Sequence, residues 1–372
     1  MKVALVHDHL NQIGGAEKVL LVLREIFPEA PIFTLVYDEK GTQELFKDAD
    51  IRTSFLQKIS HGQRQIRKFL PLIPLAFEQF DFSDFDLVLS LSSAFAKGVL
   101  VKPHTLHFCY CHTPSRYLWH DHLYYVDHWE KNWFIGGLSK LMRSWLRIWD
   151  RVASQRPDYF IANSQTVVQR VKKYYNREAV VIYPPTEIDQ FKISDKIENY
   201  FLIISRLRPY KRADLAIKTF NKLKLPLKVV GIGEEDLKKT ANSNIEFLES
   251  VSEQKKIELL SKCQALIHPQ EEDFGLTVIE AMASGRPVIA YKKGGALETV
   301  IEGKTGQFFE EQTWEALADA VIRFKSEKFN PQEIRNHSQK FSKENFVKKI
   351  KKFIEEKWKE FKIGLENSNK TN

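Results

Sequence analysis

Hydrophobic positions along this 372-residue chain come in short compact runs, separated by longer segments with helical spacing. "KVALVH" is an apolar run of strand length. A Gly-Gly turn follows, and "AEKVLLVLREIF" then repeats its apolar residues with the period of one helix face. "PIFTLVY", "DLVLSL", "GVLV", "TLHFCYC" and "YFIANS" read as further strands. A helix is predicted from about Gln165 to Tyr175, and "AVVIYPP" closes the series. The rhythm then restarts with "YFLIIS" (strand), "KRADLAIKTFNKL" (helix), "LKVVGIG" (strand) and "SEQKKIELLSKC" (helix). It continues through "QALIHP" (strand), "GLTVIEAMASG" (helix) and "PVIAY" (strand).

Strands bounded by helices in this order predict parallel sheets with right-handed crossovers. Two such series predict an α/β chain of two doubly wound, Rossmann-like domains. Pro184-Pro185 breaks the pattern between them and is the natural hinge. The expected division is 1–185, 186–342 and 343–372. The last part holds a helix from about Lys343 to Lys362 with no strand after it, a candidate to cross back to the first domain, and then a frayed tail.

Composition narrows the class. Hydrophobic residues make up 43% and charged residues 28%, which suits globular cores and excludes a disordered chain. No apolar run reaches the roughly 20 residues of a spanning helix. "MKVALVHDHLNQIGG" lacks the apolar core of a signal peptide. Three cysteines, Cys109, Cys111 and Cys263, are too few and odd in number for a disulfide scaffold. A cytoplasmic protein is expected. The net charge of +8 draws anionic partners, whether nucleotides, nucleic acid or an acidic membrane. No nucleic-acid motif accompanies it, so nucleic acid is not expected as a partner.

In doubly wound sheets, ligands gather at the carboxyl ends of strands. After the first strand come Gly14 and Gly15 and a helix start, which allow close approach of a phosphate or sugar or make a plain tight turn. After "YFLIIS" comes "RLRPYKR", where Arg206, Lys211 and Arg212 form either a solvated basic turn or a site for a pyrophosphate. After "QALIHP" come Glu272, Phe274-Gly275 at a helix start, and Glu280 about one and a half turns into that helix. Carboxylates so placed accept well from the vicinal hydroxyls of sugars, or act as the acid/base pair of a hydrolase. Beside a pyrophosphate-type turn, they suit a nucleotide sugar.

The set "IGGAEKV", "ANSQTVVQRV", "VVIYPPTEIDQF", "SRLRPYKRADLAI", "VVGIGEE" and "EDFGLTVIEAMASGRPVIAYKKGGALETV" spans nearly the whole chain. Together these segments resemble the retaining glycosyltransferases of family 4, with the GT-B fold of two Rossmann-like domains facing each other across a cleft. Glu272 and Glu280 occupy the two places of the family's E-x7-E signature. The resemblance implies that Glu280 holds the donor ribose. Glu272 and the amides near Phe274 and Gly275 would contact the donor hexose, while Arg206 and Lys211 bind and stabilise the leaving diphosphate. Loops after Gly233 and around Val251 would enclose the base, although "FLESVS" lacks the glycine many relatives carry there. His112, in "CHTPSRYLW", would lie against the donor sugar. "HTPSRYLW" is similar to bacterial mannosyltransferases of surface-polysaccharide assembly, which implies GDP-mannose as donor.

No metal or other cofactor is expected. His107, Cys109, Cys111 and His112 match no zinc spacing. Asp84-Phe85-Asp86 and Asp48-Ala49-Asp50 have the spacing of a metal-holding pair but precede strands, at the wrong edge. Arg67, Lys68, Arg116, Trp119, Trp145 and Trp149 are the candidates for the acceptor or membrane side. The segments "HGQRQIRKFLPLIPLAFEQF" and "GLSKLMRSWLRIWDRVASQR" mix cations with aromatics in a way that suits an anionic leaflet or a domain core with a solvated edge. An epimerase or hydrolase on the same architecture, and a non-catalytic binding or scaffold protein, remain open on the sequence.

Overall fold

The computed structural model describes residues 1–59, 66–120, 133–233 and 235–370. It divides into two compact units, Met1–Tyr183 with Val347–Asn372, and Pro184–Phe346. The first unit is built on a sheet of β1 (Val3–His7), β2 (Ile32–Thr34), β3 (Ile51–Thr53), β4 (Leu87–Ser92), β5 (Leu106–Cys111), β6 (Tyr159–Ala162) and β7 (Ala179–Val181). Their order is β3-β2-β1-β4-β5-β6-β7, all parallel. Every residue of β1, β4 and β5 is buried. Such strands are apolar throughout because helices cover both faces of the sheet.

The second unit repeats the plan with β8 (Phe201–Ile204), β9 (Leu227–Val230), β10 (Ile245–Leu248), β11 (Leu266–His268), β12 (Val288–Tyr291) and β13 (Gly306–Phe309). Their order is β10-β9-β8-β11-β12-β13, again parallel. In each sheet the order reverses once, between β1 and β4 and between β8 and β11. Crossovers leave in opposite directions there, and a crevice opens at the carboxyl ends.

Three expectations need correction. "GVLV" forms no strand: Gly98 ends the 3-10 turn Ala96–Gly98 and Leu100 faces solvent, while a buried carboxylate holds the chain just before that turn. Asp8 accepts from the backbone N–H groups of Ser93, Ala94, Phe95 and Ala96 at 2.6, 2.9, 2.7 and 2.7 Å. Four converging amides favour a turn over an extended ladder. The short strands β10 and β13 were not anticipated. The last helix, Lys343–Lys370, runs further than Lys362.

The change of unit falls at Pro184 rather than after Pro185. Thr186 donates its N–H to the Phe341 carbonyl and accepts from Lys343 N, so the proline segment pairs with the chain that leads into the last helix. From Val347 onward that helix belongs to the first unit. Phe353 there packs edge-on against Phe108 and Tyr159, and Lys357 lies over the Tyr159 ring.

The first unit also buries an ion pair. Lys97 Nζ lies 2.5 Å from Asp150 Oδ1 with both side chains sealed from solvent. Trp119 Nε1 and Tyr175 Oη donate to Asp150 Oδ2 at 2.7 and 2.8 Å, and Ser115 Oγ donates to Oδ1 at 3.1 Å. Removing the carboxylate leaves the ammonium without its counter-ion. Asp150→Ala is expected to cost about 3–5 kcal/mol, read as a lower midpoint in urea unfolding. An unchanged midpoint contradicts this account of the core.

Candidate functional site

The carboxyl ends of β8 and β11 place most of the expected residues of the second unit. β8 runs into a 3-10 turn at Pro209–Lys211, and Arg212 takes a left-handed conformation before the helix Ala213–Leu223. The following loop braces this turn. A Cβ on Gly231 would lie 1.8 Å from the Ser205 carbonyl oxygen, and one on Gly233 would lie 2.0 Å from that of Leu207. Both glycines are therefore required by backbone packing. Arg206 is exposed, with no side-chain hydrogen bond among the described residues. Lys211 forms an ion pair with Glu272 Oε1. Arg212 is committed elsewhere: its guanidinium bonds Asp214 and Gln312.

β11 ends at His268, and the helix Leu276–Ala283 starts from Gly275 at φ +89° with no side-chain cap. Val278 N–H donates to the Gly275 carbonyl at 3.0 Å, and the two amides before it, lacking a residue four back in the helix, are suited to an anion or an oxygen ligand. Phe274 is a core side chain, packed edge-on against Phe341, so only its backbone is placed to serve a ligand. Burial raises the pKa of Glu272, but the Lys211 ammonium outweighs it, helped by His268 and Gln270, and holds the carboxyl at about 2. Glu280 is buried in the helix and meets Lys256 Nζ at 2.9 Å. Lys256, from the helix Glu253–Lys262, was not anticipated. Val251 is half-buried just before Ser252, which caps that helix by accepting from Lys255 N.

In the first unit, Gly14 caps the helix Gly15–Ile26 in an extended conformation open to any residue. Glu17, two residues into that helix, is buried against His7 Nε2 at 3.2 Å. Burial raises its pKa and the His7 bond lowers it, with a net value of about 2. His112 follows β5. Its N–H donates to the Ser92 carbonyl, and its own carbonyl accepts from Asn163 Nδ2 at 2.9 Å. Burial pushes its imidazole down to about 4, with His7 adding to the effect and Glu17 and Asp8 opposing it. The ring is therefore neutral near pH 7 and presents an Nε2 with no hydrogen-bond partner among the described residues. Sequence reasoning missed His7, Asp8 and Glu17. The polar pair "HD" ending an otherwise apolar strand was the available signal.

The acceptor-side candidates separate. Trp119 donates to Asp150 and stacks on Tyr174 with ring centres 5.2 Å apart. Trp149 donates to Glu78 at 2.8 Å and fills the space that a side chain at Gly98 would need. Both serve the interior and leave the list of surface contacts. Arg116 is half-buried. The side chains of Arg67 and Lys68 lie outside the described residues. Trp145 is 46% exposed on the helix Trp133–Ala153, beside Leu141 at 71%, Ile148 at 65% and Val152 at 57%. Their 4-3-4 spacing makes one apolar stripe facing solvent. Asp50 and Asp86 stand immediately before β3 and β4, as expected of turn acids. Among the described residues no group of three or more His, Cys, Asp or Glu is placed to hold a metal ion. No helix among them is long and apolar enough to cross a membrane.

Comparison with known proteins agrees with the two-unit, parallel-sheet fold. Residues 13–190 match the model described as Glycosyltransferase Family 4, and residues 185–345 match Glycosyl transferases group 1. An "uncharacterized glycosyltransferase" of Methanocaldococcus jannaschii is 27% identical over 56% of this chain, which spans just under two thirds (63%) of that relative. The alpha-1,3/1,6-mannosyltransferase alg2 of Schizosaccharomyces pombe is 26% identical over 82% of this chain and 70% of its own. Among solved structures, Anabaena HepE in complex with UDP superposes with a TM-score of 0.71 at 17% identity, over 96% of this chain and 100% of its own, a likeness of fold. With family models running from residue 13 to 345 over two parallel-sheet units of GT-B type, the chain belongs to glycosyltransferase family 4.

Proposed function

We propose that this glycosyltransferase moves a mannosyl unit from GDP-mannose to a saccharide or lipid-linked acceptor, with retention at the anomeric carbon and without a metal ion. The observation that carries the reading is the strand-end cluster of the second unit. It holds an exposed Arg206, a Lys211–Glu272 ion pair and an uncapped helix start, all at the switch point between β8 and β11. Mannose is favoured by the long relatives named as mannosyltransferases.

In the reaction, the bond from the sugar's C1 to the diphosphate oxygen breaks and its electron pair stays with the diphosphate. The acceptor hydroxyl oxygen bonds to C1, and its proton passes to the departing diphosphate. Charge grows on the leaving group, and Arg206 and Lys211 are the side chains suited to meet it. Glu272 accepts from hexose hydroxyls and Glu280 from the ribose. His112, as a neutral ring, exchanges a hydrogen bond with a sugar hydroxyl. The supply of fixed cations is the reason no metal is proposed.

Peripheral contact with an anionic membrane is part of the proposal. The stripe of Leu141, Trp145, Ile148 and Val152 supports it, because the only acid from 140 to 153 is the buried Asp150. Lys140 is exposed on the same helix, and Arg147 and Arg151 are half-buried. An apolar stripe with cationic flanks suits an anionic leaflet.

Lys211→Ala is expected to lower kcat by about 10²–10³-fold, and Glu280→Gln to raise the donor KM by roughly tenfold. Circular dichroism should be unchanged in both, and wild-type kinetics in both variants reject the site. In a thermal-shift panel, GDP and GDP-mannose should raise Tm more than UDP or ADP sugars. A UDP-sugar preference points to another donor in the same family. Donor consumed at full speed without acceptor points to a hydrolase or epimerase, and binding without turnover across acceptors to a non-catalytic protein. Vesicles containing phosphatidylglycerol should sediment the protein, and phosphatidylcholine alone should not. Trp145→Ser with Ile148→Ser should weaken that binding by about tenfold or more. A stable dimer through this stripe, seen by light scattering, overturns the membrane assignment.

A further inference from the structure

Glu272 is held from one side. Its Oε1 receives both side-chain donors, Lys211 Nζ and Gln270 Nε2, the latter at 3.2 Å. Its Oε2 meets no donor among the described residues, and the side chain is partly open to solvent. Gln270 is buried, and its Nε2 also reaches His268 Nδ1 at 3.2 Å.

Chemistry fixes the order of this chain. An ionised carboxylate only accepts, so the amide nitrogen of Gln270, not its oxygen, faces Glu272. The second amide proton then goes to His268 Nδ1, which accepts. Burial keeps the His268 ring neutral, with its pKa pushed down to about 4, so its single proton sits on Nε2. The ring lies against the helix start, since a Cβ on Gly275 would come within 3.4 Å of its Cε1. His268 thus sets the orientation of Gln270, and Gln270 that of Glu272. If Lys211 turns to a diphosphate, Gln270 is the remaining side-chain donor to Glu272 among the described residues.

We propose that Gln270 is a positioning residue for sugar recognition. It clamps Glu272 by Oε1 so that Oε2 is presented to a hydroxyl of the transferred hexose, and His268 holds Gln270 in the orientation that does so. This rests on the reading above in which Glu272 takes a hexose hydroxyl.

The test compares a nucleotide sugar with its own nucleoside diphosphate. Calorimetry gives Kd for GDP-mannose and GDP, and for UDP-glucose and UDP, on wild type, Gln270→Leu and Gln270→Met. Both variants keep the side chain's approximate size and remove the donor without adding charge, and Gln270→Met serves if Gln270→Leu does not fold. For the pair that wild type binds, the preference for the sugar form should shrink by about tenfold or more. Affinity for the bare diphosphate should stay within about twofold. In a Glu272→Gln background, Gln270→Leu should cost little further preference, because the two act as one unit. Equal weakening of both ligands, or a preserved sugar preference in both variants, overturns the positioning role and leaves the donor site standing. A wild-type protein that prefers no nucleotide sugar over its diphosphate overturns the proposed function, and the positioning role with it.

Discussion

A parallel sheet covered on both faces has no room for charge except where its strands stop. That constraint organises both halves of this protein. β1, β4, β5 and β12 are buried along their whole length. Functional polarity is therefore displaced to the residues that follow each strand. At the point where strand order reverses, two such ends are neighbours whose crossovers leave in opposite directions. The Lys211–Glu272 pair stands there in the second unit, joining the turn after β8 to the loop after β11. In the first unit, the corresponding end of β1 carries His7 and Asp8, with Glu17 from the next helix.

The two ends are built differently. Asp8 spends its carboxylate on four backbone amides and shapes the turn after β4. Glu17 is closed off by His7. These acids are architectural in the described structure. Among the described residues, Glu272 keeps one oxygen without a side-chain donor, and Arg206 is exposed. The polar groups of the second unit are thus the ones disposed to meet a ligand. Arg212 shows the difference at short range, because one residue beyond Lys211 its charge is consumed by Asp214 and Gln312.

The central strands were legible because burial on both faces demands unbroken runs such as "VALVH" and "LHFCYC". β10 and β13 were not. They are four residues long at the sheet margins and carry Glu246 and Gln307, so their apolar signal is diluted. "GVLV" misled because only its first half is buried, with Gly98 against Trp149 and Ala153, while Leu100 faces solvent, and hydrophobicity alone does not separate such a loop from a strand. Glu272, Lys211 and Arg206 could be placed from their positions after strands. Lys256 could not, since a contact between separate elements leaves no local spacing to read, whereas Gln270 and His268 stand two and four residues before Glu272 on the same strand-loop segment and were overlooked although their spacing is local. Trp149 and Trp145 stand four residues apart with the same chemistry, yet one is interior and the other faces water. Only the helix's rotation decides between them.

The Lys211–Glu272 contact carries a consequence for discrimination. A bare anion that captures Lys211 deprives Glu272 of its cation and offers the carboxylate nothing in return. A neutral polyol that captures Glu272 does the same to Lys211. A molecule bearing a diphosphate and a hydroxyl-rich ring on one skeleton supplies both replacements together. The Lys211–Glu272 pair is in this sense already satisfied by its own counter-ions, so an anion or a polyol that engages only one of the two must break the pair without replacing it.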